Sequence, residues 1–204
     1  PPHEKINFEN LGADFLAISA HKMAGPTGIG CLLTSNERIQ EMGPFMTGGS
    51  MIKKVTTDGS TFKDGHAMFE TGTPRIAEAI GWGAAVEWLE QFKMVDIHNH
   101  VHEIAAFAGK EMTKIPGIKI FGDPTNKDSS GAVSFLHDTI QSQDLALLLD
   151  QGGYAVRTGH HCAQPLMDAL GVPSTNRASF WIYNTREEVE GFITHLKYIC
   201  ERFA

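Results

Sequence analysis

A chain of 204 residues with 42% hydrophobic content has enough material for a sizeable core in one or two domains. Asp and Glu outnumber Lys and Arg by 24 to 17, a net charge of −7, which argues against a broad nucleic-acid footprint. No apolar run approaches the roughly 18 residues of a membrane span, and no positive-then-apolar leader follows Pro1.

In chain order, residues 14–18 predict a short buried strand, and 29–33 predict another after the turn Gly25-Pro26-Thr27-Gly28. Lys22 then falls just past a strand end, where α/β enzymes place chemistry. Residues 43–73, rich in Gly, Thr and Met, predict a long irregular segment with a strand near 51–55. A helix is expected over 75–92, opened by Pro74, and a second over 95–114, stopped by Pro116-Gly117.

Strands are expected at 118–121 and 131–137, a helix at 141–151, and a short strand at 154–156. Pro165 starts a brief helix to Leu170, and Ala178 to Tyr183 reads as the last strand. Thr185 and Glu188 have capping-box spacing for a terminal helix. The boundary between two α/β units is expected near 92–100.

Two stretches hold the reactive residue types. Ser19-Ala20-His21-Lys22 leads into a glycine-rich turn, and Arg157-Thr158-Gly159-His160-His161-Cys162 sets a cysteine behind two histidines and an arginine. A lysine amine can form a Schiff base and a thiolate can act as a nucleophile. On composition alone, Lys22 also reads as a solvated surface lysine, and Cys162 as a cysteine packed beside histidines. A zinc site of His160, His161 and Cys162 is disfavoured, because consecutive residues rarely point at one ion. No metal is expected.

Arg157 and Arg177 suit a substrate carboxylate or a structural ion pair. Gly72 and Thr73, just before a helix, offer backbone donors to a phosphate or simply to a helix cap. Cys31, Cys162 and Cys200 are an odd set, far apart, which predicts free thiols in a reducing, cytoplasmic setting.

Taken together, the motifs carry a resemblance. They are Ser19 to Gly30, Gly48-Gly49-Ser50-Met51-Ile52, Phe69-Glu70-Thr71-Gly72-Thr73-Pro74, Arg157 to Cys162 with Ala163-Gln164-Pro165-Leu166-Met167, and Arg177-Ala178-Ser179 with Tyr183-Asn184-Thr185. In this order the chain resembles the C-terminal half of a group II cysteine desulfurase or selenocysteine lyase, of the class V aminotransferase-like group. The resemblance implies an α/β fold, the pyridoxal-phosphate-dependent transferase fold type I (aspartate aminotransferase-like). Residues 1–94 would be the C-terminal part of its large cofactor-binding domain, and 95–204 its small C-terminal α/β domain.

It also implies site roles. Lys22 would hold pyridoxal 5'-phosphate as a covalent Schiff base, with Ser19 and His21 on the phosphate. Gly72 and Thr73 would reach the phosphate from the other subunit of a homodimer. Cys162 would accept sulfur as a persulfide. Arg177 would hold the substrate carboxylate, with Arg157 and His161 in the same substrate-binding motif. L-cysteine or L-selenocysteine is the implied substrate. A sulfur-acceptor protein of iron–sulfur cluster assembly is the implied partner.

The family's complete subunit is far longer. Its earlier half supplies an aspartate for the pyridine nitrogen and a histidine stacked on the ring. A separate N-terminal half is therefore an expected partner, and the chain by itself is expected to be inactive without it. The alternatives are a non-catalytic fragment or a related lyase or epimerase of the same cofactor class.

Overall fold

The computed structural model describes residues 2–203. The chain divides into two compact units, Pro1–Lys93 and Met94–Ala204.

In the first unit, β1 (Phe15–Ser19) pairs antiparallel with β2 (Gly30–Thr34), bringing Ser19 opposite Gly30. Gly30 has to be glycine, because a Cβ there would press on the Ile18 carbonyl. A short helix, α1 (Asn36–Glu41), follows; Ser35 caps it by accepting from the Arg38 N–H at 3.3 Å. Arg38 also donates through Nε to Asp14 at 2.8 Å, tying α1 back to the start of β1. A hairpin of β3 (Ile52–Thr56) and β4 (Gly59–Phe62) precedes α2 (Ile76–Leu89).

Few apolar side chains of this unit are covered. Ala20, Met51 and Leu89 are its buried hydrophobic residues among those described, while Leu32, Ile80 and Trp88 are exposed. Helix α2 has apolar residues all round, the pattern of a helix made to be covered on every side.

The second unit has a core of its own. It contains α3 (Met94–Met112), β5 (Ile118–Phe121), β6 (Ala132–His137), α4 (Ser142–Gln151), β7 (Arg157–Gly159), α5 (Gln164–Leu170), β8 (Thr175–Ser179) and α6 (Arg186–Phe203). The sheet is antiparallel throughout, in the order β5-β6-β8-β7. Val133, Phe135 and His137 alternate as the buried face of β6, the period-2 signature of a strand with one covered side. Phe135, Leu145, Leu149, Leu196 and Ile199 are almost wholly removed from water and form one cluster with α3 residues. The expected capping box is present: Thr185 N–H donates to Glu188 at 2.8 Å, and Glu188 N–H donates to Thr185 Oγ1 at 3.2 Å.

Several expectations need correction. The strand placed at 154–156 lies instead at Arg157–Gly159, because those residues pair with β8. The last strand is Thr175–Ser179, and the chain leaves the sheet before Trp181. The irregular stretch 43–73 contains a complete hairpin, and α1 was not anticipated.

Candidate active site

The Lys22 loop is built by short backbone closures. Ala20, fully buried, donates its N–H to Ile29 O at 3.2 Å, and its carbonyl accepts from Met23 and Gly25 at 2.8 and 3.0 Å. A Cβ on Gly25 would meet Trp82 and the Ala20 carbonyl, so glycine lets the loop close against α2. The result is a tight turn, Ala20–Lys22, at the end of β1, with His21 and Lys22 exposed and Ser19 half-buried. No ion pair or hydrogen bond engages the Lys22 amine among the described residues.

Two of the sequence motifs meet elsewhere in the same unit. Gly72 N–H donates to Gly49 O at 2.8 Å, and a Cβ on Gly48 would collide with the Thr71 methyl. The Gly72 N–H is therefore engaged inside the chain and is not free for a phosphate. Thr73, the next residue, is exposed.

In the second unit, strand pairing assembles the other cluster. Arg157 on β7 stands directly opposite Arg177 on β8, and Arg177 stands opposite Ser134 on β6. Two arginines facing each other across a ladder repel unless an anion lies between them. Neither arginine enters an ion pair among the described residues, and Arg177 Nε is buried without a hydrogen-bond partner. The chemistry of this row suits a carboxylate.

Cys162 sits on the turn after β7. It is exposed, and Arg157 Nη2 donates to its sulfur at 3.1 Å. His161 and Cys162 both take left-handed backbone conformations, with φ of 56° and 61°. Each such L-residue costs about 1–2 kcal/mol, so the turn is strained and must be held. His161 Nε2 lies 3.0 Å from both Thr175 O and Thr175 Oγ1. Burial pushes the His161 imidazole below its ordinary value; the bond to Thr175 opposes this, and Arg177, Arg157 and His160 reinforce it. His160 is exposed and contributes its carbonyl, which accepts from Ala163 N–H at 2.9 Å.

The sequence reading missed Thr175, which lies ahead of the strand as it was expected. No local pattern marks it; the pairing of Gly159 with Thr175 does. The other two thiols are ordinary. Burial pushes Cys200 up to about 11 and also raises Cys31. All three cysteines are free.

A family model, aminotransferase class-V, matches residues 1–192. The chain belongs to the class-V aminotransferase family. Its mixed α/β architecture is that of this family, pyridoxal-phosphate-dependent fold type I. Among class-V aminotransferase relatives, it is 43% identical to a cysteine desulfurase of Haloferax volcanii over 203 residues, all of this chain and 47% of that protein. It is 44% identical to a probable cysteine desulfurase of Staphylococcus aureus, covering 49% of it. The chain thus spans about half the length of the curated relatives it matches.

Solved structures agree. The cysteine desulfurase CsdA of Escherichia coli superposes with a TM-score of 0.93 at 35% identity, over 98% of this chain and 49% of that one. The apo cysteine desulfurase of Thermococcus onnurineus gives a TM-score of 0.94 at 35% identity, over 98% of this chain and 50% of that one. No helix among the described residues is long and apolar enough to cross a membrane. No group of three or more His, Cys, Asp or Glu residues is placed to hold a metal ion among them.

Proposed function

We propose that this chain is the C-terminal half of a group II cysteine desulfurase, which converts L-cysteine to L-alanine and keeps the sulfur on Cys162 as a persulfide. The observation that carries the reading is the second-unit cluster: an exposed thiol bonded to Arg157, with Arg157 and the partnerless Arg177 side by side on paired strands.

The residues fit pyridoxal 5'-phosphate. The Lys22 amine is exposed and unengaged, with a hydroxyl at Ser19 and an imidazole at His21 in the same turn. Lys22 would hold the cofactor covalently through its amine, and Ser19 and His21 would bind its phosphate. Thr73 would reach the phosphate from the partner copy in a homodimer, through its hydroxyl and N–H, with Gly72 shaping the turn. When bound, the cofactor supplies an electron sink conjugated to the substrate α-carbon.

The chain's own groups do the rest. Arg177 binds the substrate carboxylate, and Arg157 and His161 shape the approach to it. The Lys22 amine, once released, moves the proton at the α-carbon. The Cys162 sulfur forms a bond to the substrate sulfur as the carbon–sulfur bond breaks. That electron pair stays with the carbon skeleton, which takes a proton and leaves as L-alanine. The sulfur then passes to an acceptor protein of cytoplasmic iron–sulfur cluster assembly. L-selenocysteine is a second substrate of the same chemistry.

The upstream half of the family's large domain completes the enzyme. The test is to express this chain with that half and supply L-cysteine and cofactor. Equal amounts of alanine and of one sulfur atom added to the Cys162 peptide support the reading. Racemised cysteine, or alanine without Cys162-bound sulfur, sinks it and favours a related epimerase or lyase.

A further inference from the structure

We propose that His161 is the positioning residue for the Cys162 sulfur: its ring, bonded to Thr175, clamps the left-handed turn that presents the thiol. The proposal rests on the reading of Cys162 as the sulfur carrier.

Two successive residues with φ of 56° and 61°, neither of them glycine, do not stay in place unaided. Three ties hold this turn. The Ala163 N–H closes it locally onto His160 O at 2.9 Å. Arg157 holds the sulfur from β7, an edge strand. His161 alone reaches β8, an interior strand paired with both β6 and β7, at a residue only 1% exposed. The His161 tie is thus the one that anchors the turn to the rigid part of the sheet.

The protonation state follows from the partners. Thr175 O can only accept, so Nε2 carries the hydrogen and donates it. Nδ1 is then a bare acceptor, buried and without a partner. A second proton would land on Nδ1 with Arg177 on β8, Arg157 on β7 and the neighbouring His160 all adding positive charge around the ring. The clamp is therefore a neutral imidazole, and acid loosens it.

The test combines amide exchange on the 204-residue chain with kinetics of the enzyme assembled with its upstream half. His161→Ala is expected to cut protection at the Ala163 amide by at least about tenfold while Phe135 on β6 stays protected. His161→Gln keeps an N–H within reach of Thr175 O and is expected to hold Ala163 protection within about threefold. Acidification should lower Ala163 protection in the parent and leave His161→Gln flat. In the assembled enzyme, His161→Ala should lower kcat by about tenfold with little change in KM, and His161→Gln should restore it. Unchanged Ala163 protection in His161→Ala, or a glutamine variant that behaves like the alanine one, overturns the clamp. If His161→Ala does not fold, the glutamine variant and the parent's acid response decide. Exchange is read without any sulfur transfer, so a failed desulfurase reading, seen as full transfer in Cys162→Ser, is a separate result.

Discussion

At the residue scale, Cys162 and Lys22 divide the proposed chemistry, and their variants should fail differently. Cys162→Ala is expected to abolish sulfur release from L-cysteine and to spare L-selenocysteine cleavage, because selenium leaves more readily. Parallel assays of the two substrates check this, and equal loss of both activities would count against a nucleophilic role. Lys22→Ala should remove the absorbance of covalently held cofactor, and an unchanged spectrum would refute the assignment. His161 adds a pH dependence. Its folded value lies below the ordinary 6.5, so as pH falls through about 6.5 the unfolded chain takes up a proton that the folded chain resists. Stability is expected to fall from there down to the lower folded value and to be flat above it. Urea midpoints on either side of that range should show the loss, and His161→Gln should reduce it. Lys22, Cys162 and the arginines stand out as candidates in the sequence because each sits inside a contiguous motif. Thr175 does not, because it meets His161 from 14 positions away and only strand register brings the two together.

At the element scale, caps and glycines make sharper claims than propensity does. Thr185 begins α6 with a reciprocal pair of bonds, and Thr185→Ala should cost about 1 kcal/mol of stability, measured by denaturant unfolding. Gly131→Ala should cost more. Its φ is 72°, and a methyl there would overlap Val101 on α3, so the thermal midpoint is expected to drop well below that of a surface Ala control. Elements with helical periodicity or a cap were read to within a few residues, as with α3 and α6. Strand ends were not. Tyr154-Ala155-Val156 has the better strand composition, but Arg157-Thr158-Gly159 has the partner, and pairing defines the strand. The β3–β4 hairpin carried a signal, Asp58-Gly59, lost inside a glycine-rich stretch. Ser35 likewise announced α1.

At the scale of the whole molecule, the two units differ in how much apolar surface they cover for themselves. Residues 94–204 enclose a continuous cluster running from α3 through β6 to α6. That segment, produced alone, is expected to unfold cooperatively on heating, and Leu149→Ala should destabilise it by about 2–5 kcal/mol. Residues 1–93, with three buried apolar residues among those described, should show no such transition. Calorimetry of the two segments checks both. From the sequence, two α/β units are expected, with the boundary in the helical stretch near 92–100. The sequence could not signal the uneven burial, because exposure depends on which neighbours are present and not on residue type.

The β1–β2 ribbon has two open edges. Each strand is paired on one side only, and Phe15, Leu32 and Leu33 lie open to water on it. Unsatisfied N–H and C=O groups beside apolar side chains recruit whatever extended peptide arrives first. The two outer edges of the ribbon are therefore the places on this unit where an added extended segment would dock or where two copies would adhere. An extended peptide supplied in trans should therefore raise the soluble yield of this chain.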